Sequence, residues 1–426
     1  MNRRHFMTHM AGLSAMTVPG LTFLSNLKAQ SETMKKNGKS LIVLWMSGGP
    51  TTLDLWDPKY GHPNGGAFKA MNTAASGVQV TEHLPNVAKQ MKNLAIIRAL
   101  KTTEGDHMRG SVLMNTGHSP SPLVEYPSIG SILAHQFSAS EGDMPAFISI
   151  GGNRATPGFL GMKFAPLTIQ NPGTPPENVE PPKDIAGDRM MRRASLFSGL
   201  EARFQGSTGI PTDAARAHRD VYDKALNLVT SSRKDVFKID PVKDAAAVTE
   251  YGNNAFGRGC LMARKLVEAG TACVQVELGG WDMHANIFTA LHSANPAMPG
   301  RLDTLDKGMG ALVADLTKTG KIKDTAIVWM GEFGRTPRIN QGGGRDHYPR
   351  CWSIVVGGGS IKGGQAYGST DAGGEDVKEN PARIGDVFAT LFAALGLDPT
   401  TQIRDNLGRP LPIAGEGSKP IKELVG

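Results

Sequence analysis

The chain has 426 residues, of which 40% are hydrophobic, 20% charged and 6% aromatic, with 52 glycines, 27 prolines and a formal net charge of +7. That apolar fraction excludes a disordered chain, and glycines without a three-residue period exclude a collagen-like one. The charge does not point to nucleic acid: Arg3, Arg4 and Lys28 sit in an acid-free 1–29 segment, and the other basic residues are mixed with acids instead of forming a stripe interleaved with aromatics.

The first segment reads as an export signal. A basic start with paired Arg3-Arg4 and Phe6 precedes a mildly apolar stretch, Met10–Leu24, and a small residue, Ala29. The arginine pair resembles a twin-arginine signal. The apolar stretch carries Gly12, Pro19 and Gly20 and falls short of the ~20 residues a spanning helix needs. Cleavage and export to the periplasm or beyond are therefore expected, with no membrane span afterwards.

Ser40–Met46 is a continuous apolar run that ends in Ser47-Gly-Gly-Pro50, as a buried parallel strand entering a loop does. Similar runs follow at Leu94–Leu100, Ala146–Ile150, Ala272–Leu278, Thr325–Met330 and Trp352–Val356. Between them the spacing predicts amphipathic helices at Ala255–Ala269, stopped by Gly270, and at Leu302–Thr319, stopped by Gly320. A Pro-rich stretch, Asn171–Pro182, introduces two polar helical segments, Met190–Gln205 and Asp213–Ser231, and 170–245 reads as a helical excursion from one α/β domain spanning 40–413, with 414–426 as a tail. Alternating strands and helices predict a mostly parallel sheet covered on both faces. Cys260, Cys273 and Cys351 have no metal-ligand spacing and are expected to pack as small apolar groups.

In an open α/β sheet ligands gather at the carboxyl ends of strands, so the residues following each run matter most. They are Ser47-Gly-Gly-Pro with Asp54 and Asp57; Glu104, Asp106, His107 and Arg109; Asp282 and His284; Glu332 and Arg335; and Arg345, Asp346 and His347. Carboxylates with imidazoles suit a divalent cation of the Zn or Mn type better than Ca. Arg109 and Arg335 offer planar guanidinium groups for an oxyanion, or else pair with Glu104 and Glu332. The glycines of 356–364 do not form a phosphate-cradling motif and read as a strand–turn–strand connection.

Several segments together resemble the alkaline phosphatase and sulfatase superfamily. Ala311–Gly334 is similar to its helix, glycine, strand and ligand segment; Asp386–Gly396 to its C-terminal helix; Leu84-Pro85-Asn86 to its Pro-Asn; and His107–Gly117 to its nucleophile helix. Ser47–Pro50, Asp54–Lys59, Gly280–His284, Gly331–Pro337 and Gly344–His347 resemble the recurrent pieces of one exported branch, the domain-of-unknown-function 1501 family, across about residues 40 to 413. The resemblance implies a three-layer α/β/α sandwich whose relatives hydrolyse phosphate or sulfate esters with one or two cations. Carried over by position, Asp282 and His284 fall near a ligand pair, His347 near the last ligand histidine, and Glu332 where a ligand aspartate stands. Three positions depart from the pattern: Ser47-Gly48 replaces a ligand aspartate unless Asp54 or Asp57 loops back, Phe333 replaces a ligand histidine, and His107 occupies the nucleophile slot, or Asp106 if the match slips by one.

The expectation is thus an altered, single-cation ester hydrolase. Asp282, His284 and His347 would be ligands, with Glu332 and Asp346 beside or behind them. His107 would be nucleophile, ligand or general acid, and Arg109 or Arg335 would hold an anionic small-molecule or glycan substrate. No cysteine or serine lies in the context needed for formylglycine chemistry. The alternative is a sandwich without catalysis that binds an anionic glycan or an exported partner.

Overall fold

The computed structural model describes residues 38–137, 144–152, 154–177, 179–180, 185, 187–208 and 213–425, so the 1–29 segment lies outside them. Eight strands form the central sheet: β1 Ser40–Met46, β2 Leu94–Leu100, β3 Phe147–Ile150, β4 Leu167–Ile169, β5 Cys273–Leu278, β6 Thr325–Gly331, β7 Trp352–Gly358 and β8 Gln365–Tyr367. Their spatial order is β8-β2-β7-β6-β1-β5-β3-β4. Only β7 runs antiparallel to its neighbours; the remaining pairings are parallel.

β1 is apolar at nearly every position because both of its faces are covered. Ile42, Leu44 and Met46 enter one core and Leu41, Val43 and Trp45 the other, the period-two alternation of a strand. Helices α5 (Ala255–Glu268) and α6 (Arg301–Lys318) supply Leu261 and Leu305 to the first core. Helices α1 (His107–Thr116), α2 (Ile129–Phe137) and α7 (Ile384–Ala394) supply Met114, Leu133 and Phe388 to the second. The result is a three-layer α/β/α sandwich with a mostly parallel sheet, as the alternating runs predict. Each buried Leu, Ile or Val side chain adds roughly 1.5–3 kcal/mol, and this is what fixes the register of the sheet.

Within 170–245 the described residues include the helices α3 (Gly187–Thr208) and α4 (Asp213–Thr230). Gly358 and Gly359 turn the chain with φ of 68° and 60° between β7 and β8, and those two strands flank β2 on either side instead of pairing with each other. Residues after 413 do not hang free: Ile421 and Leu424 enter the second core. All three cysteines are buried and unbonded, and burial pushes the Cys351 thiol up to about 12. No helix among the described residues is long and apolar enough to cross a membrane.

Register decides where the polar residues meet. Met46 at the end of β1 is level with Leu278 of β5 and Gly331 of β6, so the chain leaves three adjacent strands at one rim.

Candidate functional site

Four chain segments converge at this rim. From β5 the chain runs through Gly279-Gly280-Trp281 to Asp282 and His284, and Trp281 N–H donates to the Ser47 carbonyl at 3.2 Å, tying the turn to the end of β1. Gly48 must be glycine here: its φ is 112°, and a Cβ would meet the Asp282 nitrogen at 2.5 Å. From β6 the chain delivers Glu332, Phe333 and the short strand Gly334–Arg335, which pairs antiparallel with His347–Tyr348. His347 therefore reaches the rim beside Arg335, on the segment leading into β7. The fourth segment is the start of α1, where Asp106 caps the helix by accepting from the Arg109 N–H at 3.1 Å and so sets His107 at the first helical position.

Three imidazoles turn the same edge toward one carboxylate. Nε2 of His284 lies 2.9 Å from Asp282 Oδ1, Nε2 of His347 lies 3.1 Å from the same oxygen, and Nε2 of His107 lies 3.4 Å from Oδ2. The His284 and His347 Nε2 atoms are 3.1 Å apart. The opposite nitrogen of each ring is anchored: His107 Nδ1 to Glu332 at 2.6 Å, His284 Nδ1 to Asp346 at 2.7 Å, and His347 Nδ1 to the Gly105 carbonyl at 2.8 Å. Ligand atoms of His107, Asp282 and His347 all lie within 4.8 Å of one another. Phe333, fully buried, forms the floor, its ring 4.4 Å from that of His347 and 5.2 Å from that of His107.

Arg335 holds this arrangement together from below. Its side chain is inaccessible to solvent. Nε donates to the Gly49 carbonyl at 2.7 Å, one terminal nitrogen to the Arg345 carbonyl at 3.0 Å while lying 3.4 Å from His284 Nε2, and the other to the Gly48 carbonyl and to Asp282 Oδ1 at 2.6 Å. Partial burial opposes the charge on Asp282, but hydrogen bonds from Arg335 and His347 and the charges of Arg335 and His107 outweigh it and hold its carboxyl well below the usual range. The hydrogen bond with His284 likewise lowers Asp346.

The structure thus brings together His107, Asp282, His284, Glu332, Arg335, Asp346 and His347. Arg109 stands apart from that network: its exposed guanidinium pairs with Glu104 at 2.6 and 3.0 Å, the first of the two salt-bridge partners weighed from sequence. Arg335 pairs with Asp282, not with Glu332. Neither Asp54 nor Asp57 takes the place of the strand-one carboxylate. Asp54 is buried and held by Arg345 at 2.7 and 2.8 Å and by Thr51 at 2.6 Å, and Asp57 accepts from Thr370 at 2.5 Å with Lys59 at 3.0 Å. Asn340 was not foreseen. It donates to the His284 carbonyl at 2.9 Å and to Asp346 at 3.2 Å, and an asparagine in a polar loop carries no signal of such a tether.

Solved structures of similar shape include a sulfatase from Pseudoalteromonas sp., with 14% identity over 87% of this chain and 72% of that one and a TM-score of 0.39. A protein in the alkaline phosphatase superfamily from Vibrio parahaemolyticus shares 13% identity over 88% and 68%, with a TM-score of 0.35. The lipoteichoic acid synthase of Listeria monocytogenes shares 12% over 89% and 76%, with a TM-score of 0.33. No curated protein matches the chain. Residues 38–425, nearly everything after the expected signal, match the model described as protein of unknown function (DUF1501), and the chain belongs to that family.

Proposed function

We propose that this protein is an exported hydrolase of phosphate or sulfate esters that uses one divalent cation, Zn or Mn rather than Ca, held by His107, Asp282, His284 and His347. The observation that carries this reading is the convergence of three Nε2 atoms on one carboxylate while each Nδ1 is anchored behind. Metal–ligand bonds of about 2.0–2.2 Å in a tetrahedron set ligand atoms about 3.4 Å apart; ligand atoms of His107, Asp282 and His347 lie within 4.8 Å of one another, and His284 Nε2 lies 2.9 Å from Asp282 and 3.1 Å from His347. Nitrogen and oxygen donors together are the set expected for Zn or Mn, whereas Ca takes oxygens. Bound there, the cation supplies an acidified water and a Lewis acid for the ester oxygen.

The protein's own residues prepare the cage. Glu332, Asp346 and the Gly105 carbonyl each hold a proton on the Nδ1 they face, which leaves the Nε2 lone pairs directed inward. Asp282 stays ionised beside Arg335. With four of its five N–H groups donated to the Gly48, Gly49 and Arg345 carbonyls and to Asp282, Arg335 positions the carboxylate instead of gripping substrate. Arg109, exposed and half a helical turn from His107, is the guanidinium that can meet the anionic group of an ester with the N–H groups its bidentate pair with the buried Glu104 leaves free. His107, engaged as a ligand, is not a nucleophile, so the attacking group is water.

Elemental analysis and an ester panel test this. About one ion per chain is expected, and His107→Ala, Asp282→Ala and His347→Ala should each lower metal affinity by at least about 100-fold and abolish turnover, with Glu332→Gln losing about 10–100-fold. A chain that stays metal-free in Zn and Mn, or unchanged binding in Asp282→Ala and His347→Ala, would sink the proposal. A second reading, binding of an anionic glycan or an exported partner without turnover, is favoured by one feature: β1 is followed by Ser47-Gly48 and α1 opens on His107, so the usual carboxylate and hydroxyl or thiol are both missing. Saccharide binding with no hydrolysis of any ester would select it.

A further inference from the structure

Positions 189, 193, 196, 200 and 203 of α3 are spaced by four, three, four and three, the repeat that sets every member on one face of a helix. They are Arg189, Arg193, Leu196, Leu200 and Arg203, and all five are exposed, the two leucines by 67% and 56%. The stripe is about 21 Å long, at ~1.5 Å per residue. A second stripe, Met190, Ala194 and Phe197, is partly buried, and Phe197 stacks on Tyr222 of α4 with ring centroids 4.1 Å apart. One face of α3 therefore leans on α4, and another presents two leucines bracketed by arginines.

The presented face carries charge of one sign. Among the described residues Arg192 alone of the helix's arginines has an ion pair, with Asp188 at 2.7 Å, and the helix's other acid, Glu201, falls in register with the second stripe instead of the first. Cations with apolar side chains on one exposed helix face call for a partner that is both anionic and apolar. A lipid surface is both, taking leucines at the boundary of headgroup and acyl chain and guanidinium groups at the phosphates. It also yields to a convex ridge, where a protein partner would need a trough of matching shape over ~800 Å². A second copy of the chain would set arginines against arginines. Nucleic acid would leave the leucines unmet, and Phe197, which could have stacked on a base, is already turned to Tyr222.

We propose that α3 docks the protein peripherally on an anionic lipid bilayer, with Leu196 and Leu200 at the acyl boundary and Arg189, Arg193 and Arg203 on lipid phosphates. Such docking needs no spanning segment and does not rest on the ester-hydrolase reading.

Hydrogen exchange on the full chain reads α3 directly and is blind to any lipid affinity of residues 1–29. Vesicles of phosphatidylcholine with roughly one third phosphatidylglycerol should slow α3 amides at least about 10-fold, and vesicles of phosphatidylcholine alone should not. At ~5-fold per arginine, the protection should need about 100-fold more phosphatidylglycerol vesicles in the triple variant Arg189→Gln, Arg193→Gln, Arg203→Gln, and it should weaken with salt. Leu196→Ser with Leu200→Ser should raise the requirement at least about 10-fold. Because all five side chains are exposed, both variants should melt within about 2 °C of wild type, so a loss of docking is not a loss of fold. Amides of α3 that exchange equally with and without phosphatidylglycerol vesicles overturn the proposal. So does protection that depends on the arginines and not on the leucines, which marks a contact with any polyanion, or protection that rises with protein concentration in the absence of lipid, which marks a second copy of the chain.

Discussion

Arg335 and Arg345 are both fully buried, and each faces an aspartate, but they do different work. Arg335 serves an exposed carboxylate at the rim, whereas the Arg345 partner, Asp54, has no solvent-accessible side-chain surface. Arg345 also donates to the carbonyls of Asn64 at 2.8 Å, Thr336 at 3.1 Å and Pro337, and so joins the loop after β1 to the loop before β7. Removing one partner of a buried pair leaves the other charge uncompensated, at a cost of about 3–5 kcal/mol. Arg345→Met should lower the urea midpoint accordingly. Asp54→Leu combined with Arg345→Met should recover only part of the loss, because the three carbonyls stay unpaired; full recovery would show that the pair carries no structural role. This was the least legible part of the sequence. Asp54 and Arg345 are 291 residues apart, and a carboxylate beyond a strand reads equally as ligand or as anchor until its partner is known. Asp282 and His284 were legible because they are two residues apart behind a clear strand. The role of Arg335 was not, since nothing local announces that three carbonyls await it.

Among the secondary-structure elements, legibility followed length and burial. β1, β2, β5, β6 and β7 are runs of six or seven residues and stood out from the sequence, with ends off by two residues at most. β4 and β8, three residues each, are too short for any period to show, and they close the two edges of the sheet. Helices α5 and α6 were visible through their apolar stripes and terminal glycines. The excursion helices were visible too, but the sequence could not say how loosely they are held. Met191, Leu196 and Leu200 of α3 are 55%, 67% and 56% exposed, so the described side chains of that helix bury little against the sandwich. Local opening energy follows buried contact. Amides of α3 should exchange with solvent deuterium at least about 100-fold faster than those of β1 under native conditions, and equal protection in the two would mean that α3 is part of the cooperative core.

For the molecule as a whole, the positive charge divides into a segment expected to be discarded and a chain of mixed surface. Intact mass of material recovered from outside the cytoplasm should lack residues 1–29, and Arg3→Lys with Arg4→Lys should leave the protein inside. Retention of the segment in exported material would contradict the cleavage. The fold class was legible because alternating apolar runs and helices admit few layered architectures. The site was legible as a rim and not as a geometry, because strand ends are sequence features whereas the edge an imidazole presents depends on what anchors its far nitrogen.

That last point bears on when the cluster can come into being. The imidazoles are brought together from residues 107, 284 and 347, and the guanidinium that fixes their common carboxylate hangs on carbonyls of residues 48, 49 and 345. No contiguous stretch of chain contains the proposed cage, so an emerging or unfolded polypeptide offers an ion only the local pairs at 282 and 284 and at 346 and 347. Capture of the proposed ion would wait until the sheet has closed, and the compartment in which closure happens would decide which ion is on hand. If this chain folds before it is exported, the proposed metal would be chosen by the cytosolic supply, and the abundance of ions outside the cell would have no vote.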